Sequence, residues 1–122
     1  MMSAKAVILV VDKDRTNLEL LSQQLNREGY DPFAAASLEE LDQAIQGKVR
    51  PALLILDISG FDQRIWRRCE TLAKGRTRLI VISPRRSPAV QRHSMKCGAA
   101  GLLTKPLDFE DLMECIHTVL GD

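Results

Sequence analysis

The chain has 122 residues, of which 45% are hydrophobic, 27% charged and only 4% aromatic, with a formal net charge of +1. That length suits one compact domain spanning 1–122, and the balance of apolar and charged residues excludes disordered and fibrous classes. No stretch approaches the roughly 18 unbroken apolar residues of a membrane helix, and the opening MMSAKAVILVVD meets an aspartate where a secretory segment would lead to a cleavage site, so a cytoplasmic protein is expected.

In chain order, AVILVV (6–11) reads as a strand apolar on both faces, followed by a helical repeat of Leu18, Leu21 and Leu25 that stops at Gly29. DPFAAAS (31–37) is a poorer strand, entered through a proline that a strand start or sheet edge tolerates. Ser37 can cap a helix carrying Leu38, Leu41 and Ile45 as far as Gly47. ALLIL (52–56) is a second run apolar on both faces, and Phe61, Ile65, Cys69 and Leu72 form the next helical stripe, ending near Gly75. LIVI (79–82), a weak helix from about Pro88 to Gly98, the short run GLL (101–103) and a final helix complete the chain. That last helix is capped by Asp108 and carries Phe109, Leu112, Met113, Ile116, Val119 and Leu120 on one face. Strand and helix alternate five times with short connections, which predicts an α/β doubly wound parallel sheet with right-handed crossovers. An end just beyond this helix, at Gly121 and Asp122, is compatible with a whole protein or with an excised N-terminal domain.

Cys69, Cys97 and Cys115 have neither metal-ligand nor disulfide-framework spacing and are expected to be ordinary thiols; His93 and His117 stand alone and receive no role. Residues 64–92 hold nine Lys/Arg against the single acid Glu70, with only Trp66 among the aromatics. A solvated face explains this stretch better than a nucleic-acid surface, for no helix-turn-helix pattern accompanies it. If Arg64, Arg67 and Arg68 mark a protein-docking face, reversing their charge should abolish partner capture.

In open α/β sheets the ligand crevice lies beyond the carboxyl ends of the strands. Asp12 ends the first strand, Asp57 the third, Ser83 the fourth, and Thr104, Lys105 and Pro106 follow the fifth. Each has a bland reading singly, as cap, turn or surface charge, yet together they form a constellation. A carboxylate at a strand end can accept a phosphoryl group as an acyl phosphate, and Lys105 and Ser83 supply the donors that the new charge needs.

These residues resemble the receiver domains of bacterial response regulators in two-component signalling, over nearly the whole chain. ILVVDKD resembles the acidic first-strand motif, LLILD the phosphoacceptor strand, LIVIS the strand ending in the switch hydroxyl, and CGAAGLLTKPLD the last turn, strand and Lys-Pro. The resemblance implies a flavodoxin-like sheet of five parallel strands in the order 2-1-3-4-5, with five helices. It also implies Asp57 as phosphoacceptor, Asp12 as an acidic-pocket residue, Ser83 as switch hydroxyl, Lys105 as the phosphoryl-oxygen partner and a cis Lys105–Pro106 bond. A histidine kinase or phosphotransfer protein would supply phosphate, and an output domain or protein partner would read it, with no membrane or direct nucleic-acid role for this domain. Dimerisation is not legible.

The chain departs from the family pattern in three places. Lys13 stands where a second acid normally leads in holding magnesium, so Asp12 and Asp57 against Lys13 and Lys105 balance to zero without metal, and Lys13 is expected to lean in as a built-in cation. DISGFD (57–62) is a shortened loop, placing in doubt the backbone carbonyl near Ser59 that would complete a metal site with Asp12 and Asp57. Leu102 replaces the aromatic switch residue, and Pro84 follows Ser83. Two readings follow: a phosphorylatable receiver with a weakened magnesium site, or a pseudo-receiver that works by protein interaction without phosphate. A rival comes from DKDRT (12–16), which matches the DxDxT string of haloacid-dehalogenase-like phosphatases through Asp12 and Asp14, although the later acids of those enzymes fall in the wrong order here.

Overall fold

A computed structural model describes residues 6–47 and 50–121; the expectations drawn from the opening residues 1–5 and from the end at residue 122 fall outside that range. The apolar runs form strands β1 (Val7–Val11), β3 (Leu53–Asp57), β4 (Arg78–Ser83) and β5 (Gly101–Thr104), with the poorer candidate forming β2 (Asp31–Ala35). All pairings are parallel and the order is β2-β1-β3-β4-β5, as the resemblance implies. Pro32 is tolerated because β2 is an edge strand, paired only with β1.

Five helices cover the sheet: α1 (Arg15–Arg27), α2 (Leu38–Gln46), α3 (Arg64–Lys74), α4 (Pro88–Lys96) and α5 (Phe109–Leu120). Side chains alternate between the faces of each strand. Ile8, Val10, Ile55, Ile80 and Ile82 pack with α1 and α5, through Leu18, Leu25, Leu112 and Ile116. Leu9, Val11, Leu54, Leu56 and Val81 pack with α2 and α3, through Leu41, Ile65, Trp66 and Cys69. Every residue of β3 is buried, which explains why that run shows no polar face. The weak GLL run is short on side chains for a packing reason: a Cβ on Gly101 would lie 2.7 Å from the Cys115 sulfur of α5.

The caps follow the sequence. Ser37 Oγ accepts from the Glu40 amide, Asp108 Oδ1 from the Asp111 amide, and Ser87 caps α4 ahead of Pro88. One expectation fails. Phe61 is not part of the α3 stripe, because α3 begins at Arg64. Gly60 takes φ +81°, and the Asp62 carboxylate accepts from both the Arg64 amide and its guanidinium, a local turn that delays the helix. Trp66 takes a place on the buried face of α3. Its ring stacks on His93 of α4 at 5.1 Å between centroids and 8° between planes, while the Cys97 thiol donates to the Trp66 carbonyl. Cys69 and Cys97 are buried, and burial first, with the neighbouring Cys97, pushes the Cys69 thiol up to about 12, so it is inert.

Candidate functional site

The four strands β1, β3, β4 and β5 deliver Asp12, Asp57, Ser83 and Lys105 to the carboxyl edge of the sheet. Asp57 is only 5% exposed and Asp12 9%. Lys105 Nζ lies 2.6 Å from Asp57 Oδ2, and the Ser59 amide donates to Asp57 Oδ1 at 2.9 Å. The Asp14 amide donates to Asp12 Oδ1, also at 2.9 Å. The Lys105 amide donates to the Ser83 carbonyl, and the Lys105–Pro106 bond is cis. Asp12, Asp57 and Lys105 line one open cleft of about 730 Å³, whose apolar side is made by Leu20, Leu21 and Phe109.

Burial is the main reason the Asp12 carboxyl rises above its ordinary 3.8; the Asp14 amide opposes the shift and the negative charge of Asp57 adds to it. Because the folded value is raised, the folded state binds more protons between 3.8 and the raised midpoint, and stability falls as pH rises through that window. Asp57→Asn is expected to lower the Asp12 midpoint by removing the neighbouring charge. Carboxyl-carbon NMR titration of wild type and variant checks this, and an unmoved midpoint would show that the two acids do not interact.

Two expected site side chains turn away from this cleft. Ser83 is buried, but its hydroxyl donates to the Arg85 carbonyl at 2.6 Å and lines a different cleft, of about 470 Å³, together with Arg86, Val90 and the exposed Leu102. The Lys13 amine does not lean onto the acids: it lies over the Phe61 ring, 5.1 Å from the centroid, and takes part in no ion pair among the described residues. The reason is geometric, since Phe61, released from α3, brings an aromatic face to the exposed lysine stem. Phe61 was missed as a site residue because its spacing matches the α3 stripe; the signal against that match was Gly60 and Asp62 on either side of it. Asp62 itself is held down at about 2, mainly by the Arg64 guanidinium and then by the Arg64 amide, with the least share from Lys13.

Asp14 caps α1, its carboxylate accepting from the Thr16 and Asn17 amides, so the DKDRT string is a strand end followed by a helix cap. Arg64 and Arg68 are paired with Asp62 and Asp42, while Arg67, the third of that expected docking trio, makes no ion pair among the described residues.

The donors fit a magnesium ion poorly. Two carboxylates meet in the cleft, but three of their four oxygens already accept from Asp14, Ser59 and Lys105. Ser59 turns its amide toward Asp57, and no group of three or more His, Cys, Asp or Glu suited to a metal occurs among the described residues.

A five-stranded 2-1-3-4-5 sheet with an acid–lysine pair at its carboxyl edge defines a flavodoxin-like α/β domain whose chemistry lies at the strand ends. The response regulator receiver domain family matches residues 8–117, and the chain belongs to that family. It is 32% identical over 117 residues to sporulation initiation phosphotransferase F of Bacillus subtilis, covering 93% of this chain and 92% of that protein. It is 27% identical to the sensory transduction protein BceR of Halalkalibacterium halodurans, covering 93% of this chain but only 49% of that relative, about half its length. The solved structure of a CheY-like response regulator receiver domain protein from Methanospirillum hungatei superposes with a TM-score of 0.87 at 28% identity, covering 97% of this chain and 95% of the other. The chain is thus a receiver domain of two-component signalling. Such domains are regulatory phosphoryl acceptors rather than typical enzymes, and they generally bind magnesium at the phosphorylation site. Among the described residues no helix is long and apolar enough to cross a membrane.

Proposed function

We propose that this chain is a single cytoplasmic receiver domain that accepts a phosphoryl group on Asp57 from a phosphohistidine of a histidine kinase or phosphotransfer protein. Asp57 Oδ2 attacks phosphorus, the new O–P bond forms as the P–N bond breaks, and the imidazole leaves with the electron pair. Lys105 balances charge on the phosphoryl oxygens, Asp12 shapes the acidic side of the cleft, and Ser83 turns from the Arg85 carbonyl toward the phosphate once it is present. The magnesium requirement is weakened, with Asp12, Asp57 and the backbone at Ser59 as the residual ligand set. The single observation that carries the reading is the 2.6 Å contact of Lys105 with a 5% exposed Asp57 at the floor of an open cleft. The apolar side of that cleft, with Leu20 55% exposed, suits the helix face that would present the phosphohistidine.

Intact-mass measurement after phosphoramidate or acetyl phosphate treatment, with and without magnesium, tests this; one added phosphoryl group is expected. A wild-type chain that never gains mass would instead support a pseudo-receiver acting through protein contacts. One feature favours that second reading: the Ser83 hydroxyl is held by the β4–α4 loop and lines another cleft. Trp66 is a poor probe of metal binding here, because its ring reports the contact between α3 and α4.

A further inference from the structure

We propose that the cleft between the β4–α4 loop and β5 is a binding site for a small phosphate monoester, with the phosphate on the Arg85 and Arg86 guanidinium groups and the organic body against Val90 and Leu102. Neither Asp12, Asp57 nor Lys105 lines this cleft, so the inference stands whether or not Asp57 accepts a phosphoryl group.

Charge is the first reason. From residue 71 to residue 107 the chain carries eight Lys and Arg and no Asp or Glu. Arg85 and Arg86 share one cleft, and neither makes an ion pair among the described residues, whereas Arg64 and Arg68 of α3 are each taken by an aspartate. Two like charges on consecutive residues repel, and an anion between them removes that cost. Shape and donors are the second. The cleft holds about 470 Å³, within the roughly 300–1,000 Å³ of small-molecule sites. Ser87 and Thr104 bring hydroxyls to its lining and Gln91 a carboxamide, with no carboxylate to oppose an anion. Guanidinium forks match phosphate oxygens in pairs, which favours this group over a single point charge's partner. Val90 and Leu102, the latter 39% exposed, add apolar surface in the same cleft. The loop is also fixed in advance: the Ser83 hydroxyl holds the Arg85 carbonyl at 2.6 Å, and Ser87 Oγ accepts from the Val90 amide at the start of α4. Binding then orders side chains rather than backbone.

Amide NMR titration of the full chain with adenosine monophosphate and, separately, with inorganic phosphate tests this; neither compound donates a phosphoryl group to a carboxylate. Both are expected to shift the Arg85, Arg86 and Ser87 amides, with the nucleotide bound about ten-fold more tightly, the worth of about 50 Å² of buried apolar surface. Arg85→Ala and Arg86→Ala should each weaken both ligands roughly ten-fold, since each removes charge-assisted hydrogen bonds. Leu102→Ala should weaken the nucleotide alone. Arg92→Ala, at an exposed arginine of α4 outside the cleft, should match wild type. All four positions are exposed, so the variants keep the fold, and unchanged amide shifts in β1 and β3 verify it. The proposal is overturned if neither ligand moves the three amides, or if the shifts centre on Ser59 and Lys105 instead. It is equally overturned if Arg92→Ala costs as much as Arg85→Ala, because the attraction is then diffuse, or if nucleotide and phosphate bind alike, because the apolar wall then contributes nothing.

Discussion

Asp57→Asn is expected to abolish phosphoryl uptake, and Lys105→Ala to slow it by roughly 10²–10³, the loss seen when one preorganised charge-stabilising donor is removed. The difference in size follows from the geometry. Asp57 supplies the attacking oxygen itself, and an amide oxygen in its place lacks the charge that makes the carboxylate a nucleophile. Lys105 touches that same carboxylate at 2.6 Å but makes no covalent bond, so its removal leaves the reaction possible and poorly compensated. The Lys105 backbone is held by its amide on the Ser83 carbonyl, and its ammonium already touches the acceptor carboxylate before charge develops. Time courses of intact mass with phosphoramidate separate the two effects. Wild-type uptake in Asp57→Asn would move the acceptor to another residue, and wild-type rates in Lys105→Ala would remove the lysine from the chemistry.

The fold was legible because its strongest signals are redundant. β3 is buried on both faces and therefore wrote an unbroken apolar run, and Asp108 and Ser37 each announced a helix that the packing confirms. The edge strand β2 was weakly legible, since one-sided pairing lets it keep Pro32 and an exposed Phe33. The site was legible only in its backbone positions. Asp12, Asp57, Ser83 and Lys105 do reach one edge, but which way each side chain turns depends on contacts between segments distant in sequence. Ser83 turns to Arg85 and Lys13 to Phe61, and neither orientation is coded by spacing. Phe61 shows the limit best: its four-residue spacing to Ile65 mimics a helix face, and only the turn chemistry of Gly60 and Asp62 overrides it.

Leu56→Ala is expected to cost about 2–5 kcal/mol, a large share of the roughly 5–15 kcal/mol that holds a domain of this kind together. Leu56 is fully buried, in register with Val11 on one side and Val81 on the other, and it belongs to the cluster facing Ile65 and Trp66 of α3. The lost transfer energy of its outer carbons accounts for about 2 kcal/mol, at roughly 0.8 kcal/mol for each buried methylene. The remainder depends on collapse. A central strand hydrogen-bonded on both sides cannot shift to fill the gap, so closure falls to α3, which is itself tied to α2 by the Arg68–Asp42 ion pair and to α4 by the Trp66–His93 stack. Leu20→Ala, at a position 55% exposed, should stay within about 0.5 kcal/mol and serves as the control. Urea unfolding reads both, with the Leu56→Ala midpoint falling at an unchanged slope. A cost below about 1 kcal/mol would mean that α3 moves freely enough to heal the cavity, which would contradict the two ties that hold it.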